Sequence, residues 1–171
     1  TRENIDISTV GLFALTQIPW SIKFLWAPFV DNLKIPFFTN ALGQRKGWLF
    51  ITQILLLISI IVLGHSNPLE NILLTATCAL FVSFFSANQD IIIDAYRIEI
   101  LDEKSQGAGA AMTQFGYRIG GILAGAGSLY LKALFSWSTV FMIVAFLIFI
   151  LMILTIFILP ERKEIKRIKK E

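Results

Sequence analysis

The chain of 171 residues is 56% hydrophobic and 16% charged, with a mean hydropathy of +0.71. Soluble domains are less apolar and more charged, so this composition excludes a soluble globular protein and predicts an integral membrane protein. The net charge of +3 is not a nucleic-acid signal, because six of the fifteen basic residues lie in the short tail 161–171. The single cysteine, Cys78, lies in an apolar run and is expected to be a packed thiol.

Chemical motifs of enzymes are not found in the sequence. It has no pair of histidines, no nucleophile elbow and no phosphate-binding loop. We therefore expect neither an enzyme nor a bound metal or cofactor.

Five apolar segments are long enough to cross a bilayer. They are predicted at about 8–30, 48–64, 71–96, 107–132 and 139–159. Pro19 lies inside the first segment and is expected to kink it. Basic residues concentrate in the loops 31–47 and 97–106 and in the tail 160–171, so the positive-inside rule places these in the cytoplasm. The N-terminus is then outside, and the odd number of spans fits a missing first helix.

The third segment ends in a polar stripe. Asp90, Asp94 and Arg97 share one helix face, because 3.6 residues per turn brings positions i, i+4 and i+7 together. Charged groups are costly against lipid, so the stripe is expected to face a protein interior or a wet cavity. The carboxylates are either a proton relay and part of a substrate cavity, or a conformational lock in which Asp94 pairs with Arg97 or Arg118.

Polar groups also occur in the first and fourth segments. Lys23 either snorkels to the interface or faces the cavity. Gln114 and Tyr117 are candidates to line a cavity, whereas Arg118 either binds a substrate carboxylate or pairs with an aspartate of the stripe. The many glycines of the fourth segment, Gly121 among them, predict a helix packed on several sides.

The first loop has a recognisable pattern. Asp31 at a helix end, followed by Gly43, Gln44, Arg45 and Lys46 before the next helix, resembles the signature between helices two and three of the major facilitator superfamily. Such a pair can break when helices rock. The candidates for gating are Asp31, Arg45, Lys46 and Arg97.

Four segments in order narrow the resemblance: PWSIKFLWAPFVD, GQRKGWLFITQ, ANQDIIIDAYRIEIL and GYRIGGILAGAGSLYL. They resemble the AmpG-type muropeptide permeases. The resemblance implies an all-α major facilitator fold, of which the chain holds helices two to six, that is, five transmembrane helices of an incomplete N-terminal six-helix half. It also implies a multi-pass protein of the bacterial inner membrane that imports anhydromuropeptides by proton symport. Its partners are then the lipid bilayer, protons and an anionic small molecule, with no nucleic acid.

Acetyl-CoA transporters share the patterns Trp-x-Pro-x-x-Asp and Gln-Asp-x-x-x-Asp, so an acetyl-CoA-type or other organic anion is the alternative substrate. The missing helices leave three possibilities open: a fragment, a split gene whose partner chain supplies the other half, or a non-transporting remnant. The residues expected to bind substrate or carry protons are Lys23, Ala87, Gln89, Asp90, Asp94, Gln114, Tyr117, Arg118 and Gly121.

Overall fold

The computed structural model describes residues 7–33 and 35–160, and within these ranges it contains helices and turns but no strand. Three of these helices are long and apolar enough to cross a membrane: Gln44–His65, Ile72–Ile100 and Trp137–Ile158. The prediction of an all-α membrane protein is confirmed. The division into five spans stays a prediction, since the first and fourth predicted spans are interrupted helices.

The first predicted span consists of three short helices. They are α1 (Ile7–Ala14), α2 (Ile18–Ile22) and α3 (Ala27–Asn32), separated by two short 3₁₀ turns. Pro19 lies in the first turn of α2 and Pro28 in the first turn of α3. Proline fits only the first turn of a helix because it lacks an N–H and clashes with the preceding turn. The helix therefore breaks at Pro19, where a kink was expected, and again before Pro28.

The segment 31–47, predicted as a loop, contains a further helix, α4 (Pro36–Leu42), and the start of α5 (Gln44–His65). Pro36 lies in the first turn of α4, and the helix ends at Gly43, whose φ of 84° is rarely adopted by other residues. The sequence interpretation took Pro36, Asn40 and Gly43 as residues that keep this segment a loop. The loop prediction is wrong here, because Pro36 and Gly43 bound a short helix and Asn40 lies inside it.

Glycine also allows α4 to pack closely on α5. A Cβ atom on Gly47 would lie 3.0 Å from the carbonyl carbon of Phe38. The first turns of α5 are thereby fixed beside α4.

The remaining helices are α6 (Ile72–Ile100), α7 (Gln106–Ile122), α8 (Ser128–Leu134) and α9 (Trp137–Ile158), with a π-helical turn at Leu123–Gly127 between α7 and α8. Helix α6 continues to Ile100, so the predicted loop at 97–106 begins four residues later than expected. Nothing in 97–100 is a glycine or proline that would end the helix.

Helix α5 lies at the centre of the packed part, between α6 and α9. Leu56 and Ile60 of α5 are buried against Ala145 of α9. A polar bond crosses the same interface, where the Gln53 amide donates to the Thr155 hydroxyl at 3.3 Å. Cys78 is buried on α6, as predicted.

Helices α7 and α8 contrast with this core. No residue of α7 or α8 is buried. A Cβ atom added to Gly116, Gly120 or Gly121 would meet no atom within 4 Å in the part of the chain that the structure describes. The expectation of a helix packed on several sides is therefore wrong for these residues, because no described element lies against its glycines.

Candidate functional site

A cavity of about 360 Å³ lies between α2 with its following turn, α6 and α7. Its wall is mixed, with charged, hydroxyl, amide and aromatic side chains. The lining residues are Trp20, Lys23, Asp90, Asp94, Arg97, Ala110, Thr113, Gln114 and Tyr117.

Lys23 and Asp90 form an ion pair across this cavity. The break after α2 places Lys23 in a 3₁₀ turn, from which its ammonium group bonds to Oδ2 of Asp90 on α6. The ammonium also lies 5.3 Å from the centre of the Trp20 ring, within the range of a cation–π contact. The side chains are 32% and 23% exposed, so the pair is partly screened by solvent.

Asp94 and Arg97 form a second ion pair, one turn further along α6. Nη2 of Arg97 lies 3.3 Å from Oδ1 of Asp94, and Nη1 lies 3.4 Å from the carbonyl oxygen of Gln106. Asp90, Asp94 and Arg97 thus share the helix face that the sequence predicts, and this face is open to the cavity.

Helix α7 supplies the opposite wall. Ala110, Thr113, Gln114 and Tyr117 are spaced i, i+3, i+4 and i+7, so they lie on one face. The Tyr117 ring contacts the edge of Trp20, with 6.0 Å between ring centres and 70° between planes. These two aromatic rings close the cavity beside Lys23.

The charged side chains that line the cavity are two cations and two carboxylates, which sum to zero. An anion that enters must compete with a carboxylate for a cation. The two cations of the cavity wall can therefore bind an anion only by exchanging one of these carboxylates for it.

A second charged group, the Arg45 cluster, consists of Arg45, Asp31 and Glu99. Arg45 bonds to Oδ1 of Asp31 at 2.6 Å and donates from Nη2 and Nε to Oε1 of Glu99 at 2.7 and 3.0 Å. The Arg45 side chain is only 17% exposed. The cluster ties the end of α3 and the start of α5 to the end of α6.

Two further bonds fasten α3 to α5 beside this cluster. The amide of Gln44 donates to the carbonyl oxygen of Asp31 at 2.6 Å, and the indole of Trp48 donates to the carbonyl oxygen of Leu33 at 2.7 Å. These side chains satisfy carbonyls that the helix end leaves without partners.

The structure brings many of the predicted site residues together. Those in the cavity wall are Lys23, Asp90, Asp94, Gln114 and Tyr117, joined by Arg97 from the gating group. Ala87, Gln89, Arg118 and Gly121 lie outside this wall.

The residues outside the wall differ in their surroundings. Ala87 is fully buried, and the side-chain oxygen of Gln89 is buried without a hydrogen-bond partner among the residues that the structure describes. Arg118 is exposed and forms no ion pair with any residue that the structure describes, so the pairing of Arg118 with an aspartate is not observed. Lys46 likewise has no ion pair within the described ranges.

Sequence reasoning missed four residues. Glu99 was placed beyond the end of the helix, although α6 extends past it. Trp20, Ala110 and Thr113 line the cavity. Trp20 stands three residues before Lys23, and Ala110 and Thr113 precede Gln114 and Tyr117 at helical spacing, which is the signal that identifies them.

Comparisons with known proteins agree on one family. The model of the Major Facilitator Superfamily matches residues 4–171. The chain is 41% identical over 155 residues to the putative transporter AmpG 1 from Rickettsia bellii. The matched region covers 91% of this chain and 38% of that protein. It is 42% identical over 131 residues to the anhydromuropeptide permease of Escherichia coli, which covers 77% of this chain and 26% of the permease.

An uncharacterised protein from Haemophilus influenzae is 37% identical over 163 residues, covering 95% of this chain and 37% of that protein. The chain thus spans well under half the length of these curated relatives. No solved structure is a significant match. The resemblance to AmpG-type permeases that the four sequence segments indicate is confirmed. The chain belongs to the Major Facilitator Superfamily of transporters, has part of its all-α fold, and is a multi-pass protein of the bacterial inner membrane.

Proposed function

We propose that the chain forms part of a permease that imports muropeptides, the GlcNAc-anhydroMurNAc peptides released in cell-wall recycling, together with protons. One observation carries the proposal. A chain that is 42% identical over 131 residues to the Escherichia coli anhydromuropeptide permease contains a cavity with two ion pairs on one face of α6. Ionisable groups inside a membrane protein are retained mainly for ion or substrate pathways.

The proposal gives the cavity residues distinct roles. Asp90 and Asp94 carry protons, because each is paired with a cation that an anionic substrate can take over. Lys23, Gln114 and Tyr117 supply donors and an aromatic surface that suit the hydroxyl and amide groups of a sugar peptide. Arg118 and Gly121 continue the Gln114 face of α7 beyond the cavity wall and are assigned to the surface that meets the rest of the substrate.

The Arg45 cluster is assigned to gating. Asp31 and Arg45 form a pair at the membrane side predicted to be cytoplasmic, and Glu99 reinforces it. Lys46 adds positive charge beside that pair. A change in the tilt of α3 against α6 would stretch these bonds and open this end.

The size of the cavity supports a substrate site that is shared between this chain and helices outside it. A volume of about 360 Å³ is near the lower end of the roughly 300–1,000 Å³ that small-molecule sites occupy. It holds one sugar ring or a short peptide, and a disaccharide peptide extends beyond it. The remaining contacts then come from helices outside this chain, as in transporters whose site lies between two halves.

The test is a chimera. The matching 131 residues of the Escherichia coli permease are replaced by those of this chain, and uptake of labelled anhydromuropeptide is measured in cells that lack their own permease. We expect uptake with the chimera and its loss in the Asp90→Asn variant, because Lys23 then keeps no carboxylate to exchange. Collapse of the proton gradient should abolish uptake as well.

The control is Lys132→Gln in the same chimera, because Lys132 of α8 lies over Trp137 at the start of α9 and outside the cavity wall. A chimera that reaches the membrane and binds acetyl-CoA or another organic anion, yet moves no muropeptide, would contradict the proposed substrate.

A further inference from the structure

Arg97 is the least satisfied cation in the cavity. Within the ranges 7–33 and 35–160, its two hydrogen bonds are 3.3 and 3.4 Å long, and its Nε is buried without a partner. Charge-assisted bonds between a guanidinium and a carboxylate are typically about 2.7–2.9 Å. Arg45 reaches that range with both of its carboxylates. Arg97 therefore retains most of its capacity for an anion.

Lys23, the other cation in the wall, is differently placed. It bonds closely to Asp90 and lies over the face of Trp20. A point charge held from two sides has less to gain from an incoming anion than a guanidinium with weak partners. The two cations of the cavity are thus unequal.

Gly109 on α7 packs beside the side chains of Leu101 and Arg97. A Cβ atom at this position would overlap Cδ1 of Leu101, whereas it would lie 3.4 Å from Cδ of Arg97, an ordinary contact distance. The Arg97 methylenes thus lie against α7, and the guanidinium is part of the cavity wall. Gly107, two residues earlier, has nothing within 4 Å of the same added atom.

We propose that Arg97 is the anion-binding residue of the cavity, which takes a carboxylate of the transported molecule through its guanidinium fork. Asp94, which is 46% exposed, occupies that position weakly when no ligand is bound. This assigns Arg97 to binding rather than to gating. The inference rests on the proposed function only in taking this cavity as the transport site, and it holds for any carboxylate-bearing substrate.

The experiment uses the purified chain in lipid nanodiscs with ¹⁵N-labelled arginine. The probes are N-acetylmuramyl-L-alanine, its C-terminal amide, and N-acetyl-L-alanine, which carries a carboxylate but no sugar. The Nε signal of Arg97 is assigned by its loss in the Arg97→Lys variant. We expect the two acids to shift this signal and the amide to leave it in place.

Binding constants give the second readout. The acid form of the muramyl probe should bind about tenfold more tightly than the amide, the scale of one charge-assisted bond. Arg97→Gln should reduce the ratio to about one, and Arg97→Lys should restore part of it because the charge remains without the fork. The control variants Gly107→Ala and Lys132→Gln, which change positions outside the cavity wall, should retain it.

The outcomes separate the two proposals. If both muramyl probes bind equally and neither shifts the Arg97 signal, the anion site is wrong although the muropeptide cavity stands. If neither muramyl probe binds but N-acetyl-L-alanine shifts the Arg97 signal, the anion site stands and the proposed substrate is wrong. If no carboxylate shifts the signal, Arg97 is not the anion-binding residue.

Discussion

The Arg45 cluster and the cavity pairs use the same residue types in opposite ways. Arg45 makes three bonds of 2.6–3.0 Å to two carboxylates and is largely buried. Arg97 makes two bonds of 3.3 and 3.4 Å beside a cavity. The short bonds of Arg45 hold three helix ends together, whereas the long bonds of Arg97 leave its guanidinium charge available to a ligand. The two arginine side chains are 17% and 21% exposed, so bond length, rather than burial or residue type, separates the structural role from the proposed binding role.

Removal of Arg45 should have the largest effect on stability. Arg45→Gln leaves Asp31 and Glu99 without their cation, and we expect a loss of about 2 kcal/mol in the free energy of unfolding, below the roughly 3–5 kcal/mol of a fully buried pair. The measurement is an SDS titration in mixed micelles followed by tryptophan fluorescence. Lys46→Gln is the control and should stay within about 0.5 kcal/mol of the parent. Similar losses in both variants would contradict the structural role of the cluster.

The two carboxylates of the cluster should differ. Oε1 of Glu99 accepts from two nitrogens of Arg45 and its side chain is 21% exposed, whereas Asp31 accepts one bond and is 43% exposed. We expect Glu99→Gln to cost about 1–2 kcal/mol and Asp31→Asn less than about 1 kcal/mol in the same titration. The reverse order would show that the bond to α3, rather than the bond to α6, holds the cluster.

In the cavity, Lys23→Met should cost about 1 kcal/mol, since both partners of the pair are partly exposed. Asp90 then remains unpaired in a partly buried site. The double variant Lys23→Met with Asp90→Asn should recover most of this stability without recovering uptake in the chimera. A double variant that restores uptake would show that the pair serves packing alone.

Loss of the Asp94 charge should have the smallest effect. Asp94→Asn is expected to change the free energy of unfolding by less than about 0.5 kcal/mol, because its bond to Arg97 is long and half-exposed. The titration used for Arg45→Gln measures it. A loss close to that of Arg45→Gln would instead identify Asp94 as a conformational lock.

The sequence predicts the polar face well because helical periodicity requires no tertiary information. Asp90, Asp94 and Arg97 follow from spacing alone, and Asp31 with Arg45 follows from a pattern across one loop. The partner of each charge does not follow from helical spacing. Lys23 and Asp90 are 67 residues apart, and Lys23 meets Asp90 from the 3₁₀ turn between the breaks at Pro19 and before Pro28.

Packing of the glycine-rich helix shows a second limit. Small residues at Gly116, Gly120 and Gly121 indicate that a backbone can approach, but they do not say which element does so. Within the described residues these positions face open space. Gly64 lies outside that pattern, yet a Cβ atom added to it would lie 2.6 Å from Cβ of Phe141. Close approach depends on both helices, so the sequence of one helix cannot predict which neighbour packs against it.

The zero charge sum of the cavity bears on the energy source for transport. A carboxylate that enters together with one proton moves no net charge, so the membrane potential neither drives nor opposes that step. A substrate with a second carboxylate moves one negative charge unless a second proton accompanies it, at about 2.3 kcal/mol for each 100 mV. The number of carboxylates on the substrate should therefore set whether uptake responds to voltage or only to the pH gradient.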